Sequence, residues 1–111
     1  MSDIEDIIKN LDEQIDCISK IKSEHTDVIK KILDILEIAR ENKHQIIIFG
    51  NGGSASTSSH FTSDLQKTSM IENSPRFRAI SLTDNIPVMT AWSNDTSYEN
   101  IFSGQLENFL Q

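Results

Sequence analysis

Cysteine is almost absent from this sequence. Cys17 stands alone, so no internal disulfide framework can form and a reducing compartment is expected. Positive charge is scarce as well: 10 Lys and Arg face 17 Asp and Glu, a net charge of −7. Nucleic-acid binders show a basic stripe, and none occurs here, so no nucleic-acid partner is expected. Long apolar runs are missing too. Nothing approaches the roughly 20 residues that span a bilayer, which argues against a membrane protein. The opening Met-Ser-Asp-Ile-Glu-Asp is acidic where a secretory signal is basic, and a soluble, cytoplasmic protein is the expectation. A length of 111 residues, 37% of them hydrophobic, allows one domain at most and a modest core.

What the chain does have is pattern. Ile4, Ile7, Ile8, Leu11, Ile15, Ile18 and Ile21 recur at steps of three and four, which predicts an amphipathic helix over 2–21. Ser2 and Glu5 form a capping box at its start. After the polar break 23–26, Val28, Ile29, Ile32, Leu33, Leu36 and Ala39 predict a second helix to about Asn42. Together these make a helical hairpin over 1–42. Its apolar faces either pack on the same chain or form a subunit interface. Gln45–Phe49 is a short β-branched run that reads as a buried parallel strand. Residues 76–82 alternate and read as a second strand. A helix is expected over 54–69 between them. Another begins at 84–87, with Pro87 in its first turn. Thr96 and Glu99 are spaced as a capping box for a last helix through Ile101, Leu106 and Phe109.

The strand–helix–strand unit implies a parallel crossover. Two strands make a poor parallel sheet, which wants several strands and cover on both faces. The sequence also stops inside an apolar helical pattern. The expectation is therefore the front part of a longer α/β domain, over 43–111.

Glycine is scarce, and three of the four glycines sit together. Gly50-Asn51-Gly52-Gly53-Ser54-Ala55-Ser56 follows the first strand directly. Such a loop, entering a helix, presents free backbone N–H groups at the positive end of the helix dipole. That is an anion site, usually for phosphate. The P-loop pattern fails, because no lysine occurs before Lys67. The dinucleotide pattern G-x-G-x-x-A is met, but its acidic partner roughly 20 residues on is missing, since Asp84 lies too far along.

His60 and Asp64 follow at i and i+4, on one helix face. Such a pair binds a metal or moves protons, or it is a plain surface hydrogen bond. Asn94-Asp95 either binds sugar hydroxyls or caps the following helix. Trp92 either stacks on a sugar or packs in the core. His25, His44, Arg76 and Arg78 read as surface residues, and Cys17 has no basic neighbour to mark it as a nucleophile.

Phe49-Gly50-Asn51-Gly52-Gly53-Ser54-Ala55-Ser56 with His60-Phe61 and Asp64-Leu65 resembles the sugar isomerase (SIS) domain family, in its phosphoheptose isomerase branch. Ser81-Leu82-Thr83-Asp84, Thr90-Ala91, and Asn94-Asp95 with Tyr98, Glu99 and Phe102 support the likeness. The resemblance implies a flavodoxin-like parallel sheet with flanking helices, assembled as a homotetramer through the N-terminal helices. It implies a phosphosugar substrate and interconversion of sedoheptulose 7-phosphate with a manno-heptose 7-phosphate. It places Asn51, Gly52, Gly53, Ser54, Asn94 and Asp95 on the substrate, His60 and Asp64 on zinc, and Asp64 as the catalytic base. The sequence departs from the family at Asp64, where the isomerases carry glutamate. The shorter side chain retracts the carboxylate by about 1 Å, a displacement to which catalysis is sensitive. The family's later phosphate loop and its C-terminal glutamine and histidine ligands have no counterpart among these residues. The alternative is a non-catalytic SIS module that binds sugar phosphate or assists assembly.

Overall fold

A computed structural model describes residues 2–110. The chain forms two compact units, one up to Glu37 and one from Ile38 onward.

The first unit is helical. Helix α1 covers Asp3–Glu24 and helix α2 covers Thr26–Glu41. The expected capping box closes α1: Ser2 Oγ accepts from Glu5 N, and Glu5 accepts in return from Ser2 N at 2.8 Å. Asp3, Glu5 and Asp6 add charge that suits the positive end of the dipole. The polar break is narrower than the sequence suggested. Ser23 and Glu24 stay helical, and His25 alone separates the two helices. The hydrogen-bond relay even runs through it, from His25 N to Ile21 O and from Ile29 N to His25 O.

One residue is too short for the two to five that an αα-hairpin turn uses, and the two helices do not pack along one another. Their apolar faces stay open, with Ile4 69% and Ile18 66% exposed and no residue of either helix buried. No helix among the described residues is long and apolar enough to cross a membrane.

The second unit holds a two-stranded parallel sheet, with β1 at Gln45–Ile48 and β2 at Arg78–Ser81. The register pairs Ile46 with Ala79 and Ile48 with Ser81. Leu82 N extends the ladder to Ile48 O at 2.9 Å. Helix α3 spans Gly53–Ser63, packs across both strands, and continues into a π-helical turn over Asp64–Thr68. Its low apolar content is offset by hydroxyls. Ser58 bonds Ser81 at 2.8 Å, Ser81 bonds Thr83 at 2.6 Å and Thr83 bonds Ser59 at 2.9 Å, while Ser59 donates to Asp84 Oδ1 at 2.5 Å. A carboxylate only accepts, so Asp84 sets the direction of the whole chain of hydroxyls. Helix and strand are thereby keyed together with few methyl groups.

Helix α4 covers Ile86–Asp95. Asn85 caps it by accepting from Val88 N at 3.1 Å, and Pro87 stands in its first turn as expected. The last helix is not the continuous one that the spacing predicts. A 3₁₀ turn over Tyr98–Asn100 precedes a single turn, α5, at Ser103–Leu106. Thr96 leaves helical geometry, at φ −126° and ψ −95°, and its hydroxyl donates back to Trp92 O at 2.6 Å, so the Thr96–Glu99 box does not form.

The core is small: Leu65, Ala79, Leu82 and Ile101, with Ser58, Thr62 and Gln105 buried beside them. Gln105 Nε2 donates to Leu82 O at 3.0 Å and Ile101 O at 2.7 Å, tying α5 to the end of β2. Trp92 is half-buried and lies against Gly104, which answers the choice between stacking and packing in favour of packing. The strands remain half-exposed, as two strands without further neighbours must.

Candidate functional site

The site begins where β1 ends. Gly50 lies so close to the first turn of α3 that a Cβ there would meet Ser54 backbone and side-chain atoms at 2.7 Å. Gly52 takes φ +55° as the N-cap, a conformation that favours glycine. No side chain caps the helix. Among the described residues the N–H groups of Asn51, Gly52 and Gly53 have no acceptor, because the turn bonds begin at Ser54 N to Asn51 O. The glycine turn therefore leaves three N–H groups free ahead of a helix N-terminus. The Ser54 hydroxyl, also predicted as a substrate contact, is exposed at the same turn.

About two to three turns further along, where α3 passes into the π-helical turn, His60 and Asp64 stand on one face as predicted. His60 Nε2 is 3.4 Å from Asp64 Oδ2. With Ser56, Thr57 and Phe61 they line an open groove of about 560 Å³. Asp64 opens the π-helical turn, a feature that is often found at functional sites. Its other oxygen, Oδ1, accepts from Thr68 Oγ1 at 2.9 Å. Thr68 thus fixes the carboxylate against rotation and leaves Oδ2 toward His60.

The pair fits zinc in donor chemistry, an imidazole nitrogen and a carboxylate oxygen. It fits in spacing as well: two ligands at about 2.0–2.1 Å in a tetrahedral site lie roughly 3.3 Å apart. Among the described residues no third His, Cys, Asp or Glu joins them. Two donors fall short of the three protein ligands of a catalytic zinc site, so the remainder of such a site would come from outside these residues.

Asn94 and Asp95 end α4 and are exposed, with Asn94 Nδ2 donating to Asp95 Oδ1 at 3.3 Å. They provide no side-chain cap for the turn that follows. Among the described residues neither side chain hydrogen-bonds to the glycine loop. Asp95 instead lines a small cavity of about 190 Å³ with Val88, Ala91, Trp92 and Thr96. The link from this region to the loop runs through Tyr98, whose hydroxyl donates to Asn51 Oδ1 at 2.9 Å. Tyr98 and Thr68 were not identified as site residues from sequence. Thr68 stands at i+4 from Asp64, so its contact was accessible to helical spacing. The partner of Tyr98 lies 47 positions away and no local pattern signals it.

No protein-family model matches the chain. Curated proteins do. The chain is 42% identical over 76 residues to a probable phosphoheptose isomerase of Thermoplasma acidophilum, covering 68% of this chain and 41% of that protein. It is 32% identical over 104 residues to the phosphoheptose isomerase of Geotalea uraniireducens, covering 94% and 54%. Among solved structures, a phosphoheptose isomerase from Francisella tularensis superposes with a TM-score of 0.86 at 25% identity, over 96% of this chain and 55% of that one. The chain spans about half the length of these relatives. In sequence and architecture alike, it carries the phosphoheptose-isomerase-like fold of the sugar isomerase (SIS) domain family.

Proposed function

We propose that this chain is the phosphosugar-binding part of an aldose–ketose isomerase of the phosphoheptose isomerase type, acting on sedoheptulose 7-phosphate. The observation that carries this reading is the placement of His60 and Asp64, 3.4 Å apart, on the helix that leaves the glycine turn. In this reading the free N–H groups at 51–53 and the Ser54 hydroxyl hold substrate oxygens, and Asn94 and Asp95 contact the sugar from the end of α4. Asp64 removes the proton beside the carbonyl and returns it to the neighbouring carbon. Thr68 holds that carboxylate in one rotamer, with Oδ2 toward His60. His60 and Asp64 would hold zinc, which when bound polarises substrate oxygens as a Lewis acid. Residues beyond these would complete both the ligand set and the phosphate site. The cytoplasm, where sugar phosphates are made and used, is the proposed location.

Asp64 itself favours a second reading. Its carboxylate is shorter than the glutamate of the isomerases and is engaged by Thr68. A module that binds sugar phosphate without turning it over would tolerate this. An isomerase assay with sedoheptulose 7-phosphate and zinc, on the wild type and on Asp64→Glu, separates the two. Measurable turnover that rises with the longer side chain supports the enzyme. Bound sugar with no turnover in either protein supports the binding module.

The open apolar faces of α1 and α2 are proposed to join copies of the chain into a homotetramer. Contiguous exposed apolar surface of this kind marks interaction sites. Replacing Ile8 and Ile15, 53% and 59% exposed, by aspartate is expected to give a smaller species in light scattering at unchanged helix content. An unchanged mass would place the contact elsewhere.

A further inference from the structure

We infer that Tyr98 is a positioning residue that holds the Asn51 carboxamide in place at the glycine turn. The inference rests on the phosphosugar reading for its consequence, but not for its geometry. A carboxamide has an accepting oxygen and a donating nitrogen, and its terminal torsion is broad and nearly two-fold. Left alone, Asn51 would take either orientation. Tyr98 Oη donates to Asn51 Oδ1 at 2.9 Å, which occupies the oxygen and leaves Nδ2 as the free end. Among the described residues Nδ2 has no acceptor. Its residue is also the first of the three, Asn51, Gly52 and Gly53, whose backbone N–H groups are free.

The segment that carries Tyr98 is itself held in place. Its 3₁₀ turn is closed by Ile101 N to Tyr98 O at 3.2 Å, and Asn100 Nδ2 bonds Thr96 Oγ1 at 3.2 Å. Four residues on, the Phe102 ring packs on Phe49 with centroids 4.8 Å apart. Phe49 lies two residues before Asn51. One aromatic and one polar contact therefore clamp the 98–102 turn over the 49–51 loop, from two independent pairs of residues. The Tyr98 ring is 60% exposed, so it contributes little to the core, and its hydroxyl is placed for orientation.

The test uses Tyr98→Phe, Asn51→Ala and the double variant of the full protein, each titrated with sedoheptulose 7-phosphate. Tyr98→Phe is expected to weaken binding about 3- to 10-fold, the loss of one hydrogen bond's orienting effect, at unchanged melting temperature. In the Asn51→Ala background the same change is expected to have no effect, because Tyr98 acts through Asn51. Additive losses would show that Tyr98 touches the sugar itself and would overturn the inference. The second readout needs no ligand. In ¹⁵N-resolved NMR the two Asn51 side-chain amide protons are expected to shift and broaden in Tyr98→Phe, and unchanged signals would overturn the inference. If the wild type binds no sugar phosphate, the proposed function fails, and the amide spectrum alone decides the role of Tyr98.

Discussion

Gly104→Ala is expected to cost about 2–3 kcal/mol of stability, a fall of roughly 8–15 °C in melting temperature. A Cβ at position 104 would lie 2.3 Å from Trp92 Cε2 and 2.5 Å from Cδ2. These atoms belong to the fused ring, not to a flexible chain end, so the indole must move as a body. The neighbours leave it little room. Gly104 and Gln105 are buried, and Gln105 is bonded to both Leu82 O and Ile101 O. Displacing α5 from α4 would therefore strain the join to β2 as well. Thermal denaturation followed by circular dichroism measures the loss. Adding Trp92→Leu, which shrinks the opposing ring, is expected to recover part of it, since the two positions share one contact. A Gly104→Ala protein as stable as the wild type would show that the α4–α5 packing is looser than described.

The largest effect on activity is expected from Asp64→Asn. The substitution keeps size and can still accept from Thr68 Oγ1, but it removes the basic carboxylate. General base catalysis contributes typically 10²- to 10⁴-fold, and a fall of that order in kcat is expected, with sugar-phosphate binding changed much less. The split between kcat and KM is the diagnostic, because a residue that only clamps substrate would raise KM. His60→Ala is the companion: it leaves Asp64 in place and removes one of the two donors to the proposed zinc, so zinc affinity falls with activity.

The parts of this molecule legible in sequence are those in which local pattern and backbone chemistry agree. Ser2 and Glu5 announced the start of α1 at the correct residue. The β-branched run at 45–48 marked β1, and the glycines marked the turn, where Gly50 allows close approach and Gly52 a positive φ. The i, i+4 spacing brought His60 and Asp64 together. What failed did so because distant or competing contacts prevailed. Thr96 and Glu99 have capping-box spacing, yet the Thr96 hydroxyl bonds the Trp92 carbonyl behind it and does not cap the turn that follows. The apolar faces of α1 and α2 gave the right period, but period alone cannot say what covers a face, and the single residue His25 is too short to turn one helix back upon the other. Residues 54–69 read as a helix of poor propensity. The hydroxyl chain through Ser58, Ser81, Thr83, Ser59 and Asp84 that supports it joins positions more than 20 residues apart, beyond any local signal. Tyr98 was noticed only as part of a likeness, since its partner Asn51 is reached only through the fold.

The central claim is that Asp64, beside His60 and the glycine turn, moves a proton between adjacent carbons of a sugar phosphate. The most direct measurement is to run the protein, in the form that cells make, with sedoheptulose 7-phosphate and zinc in D₂O, and to follow products by NMR and mass spectrometry. The expected result is conversion to a manno-heptose 7-phosphate with deuterium taken up beside the carbonyl, both lost in Asp64→Asn. Sugar phosphate recovered unconverted and without deuterium from the wild type would contradict the claim.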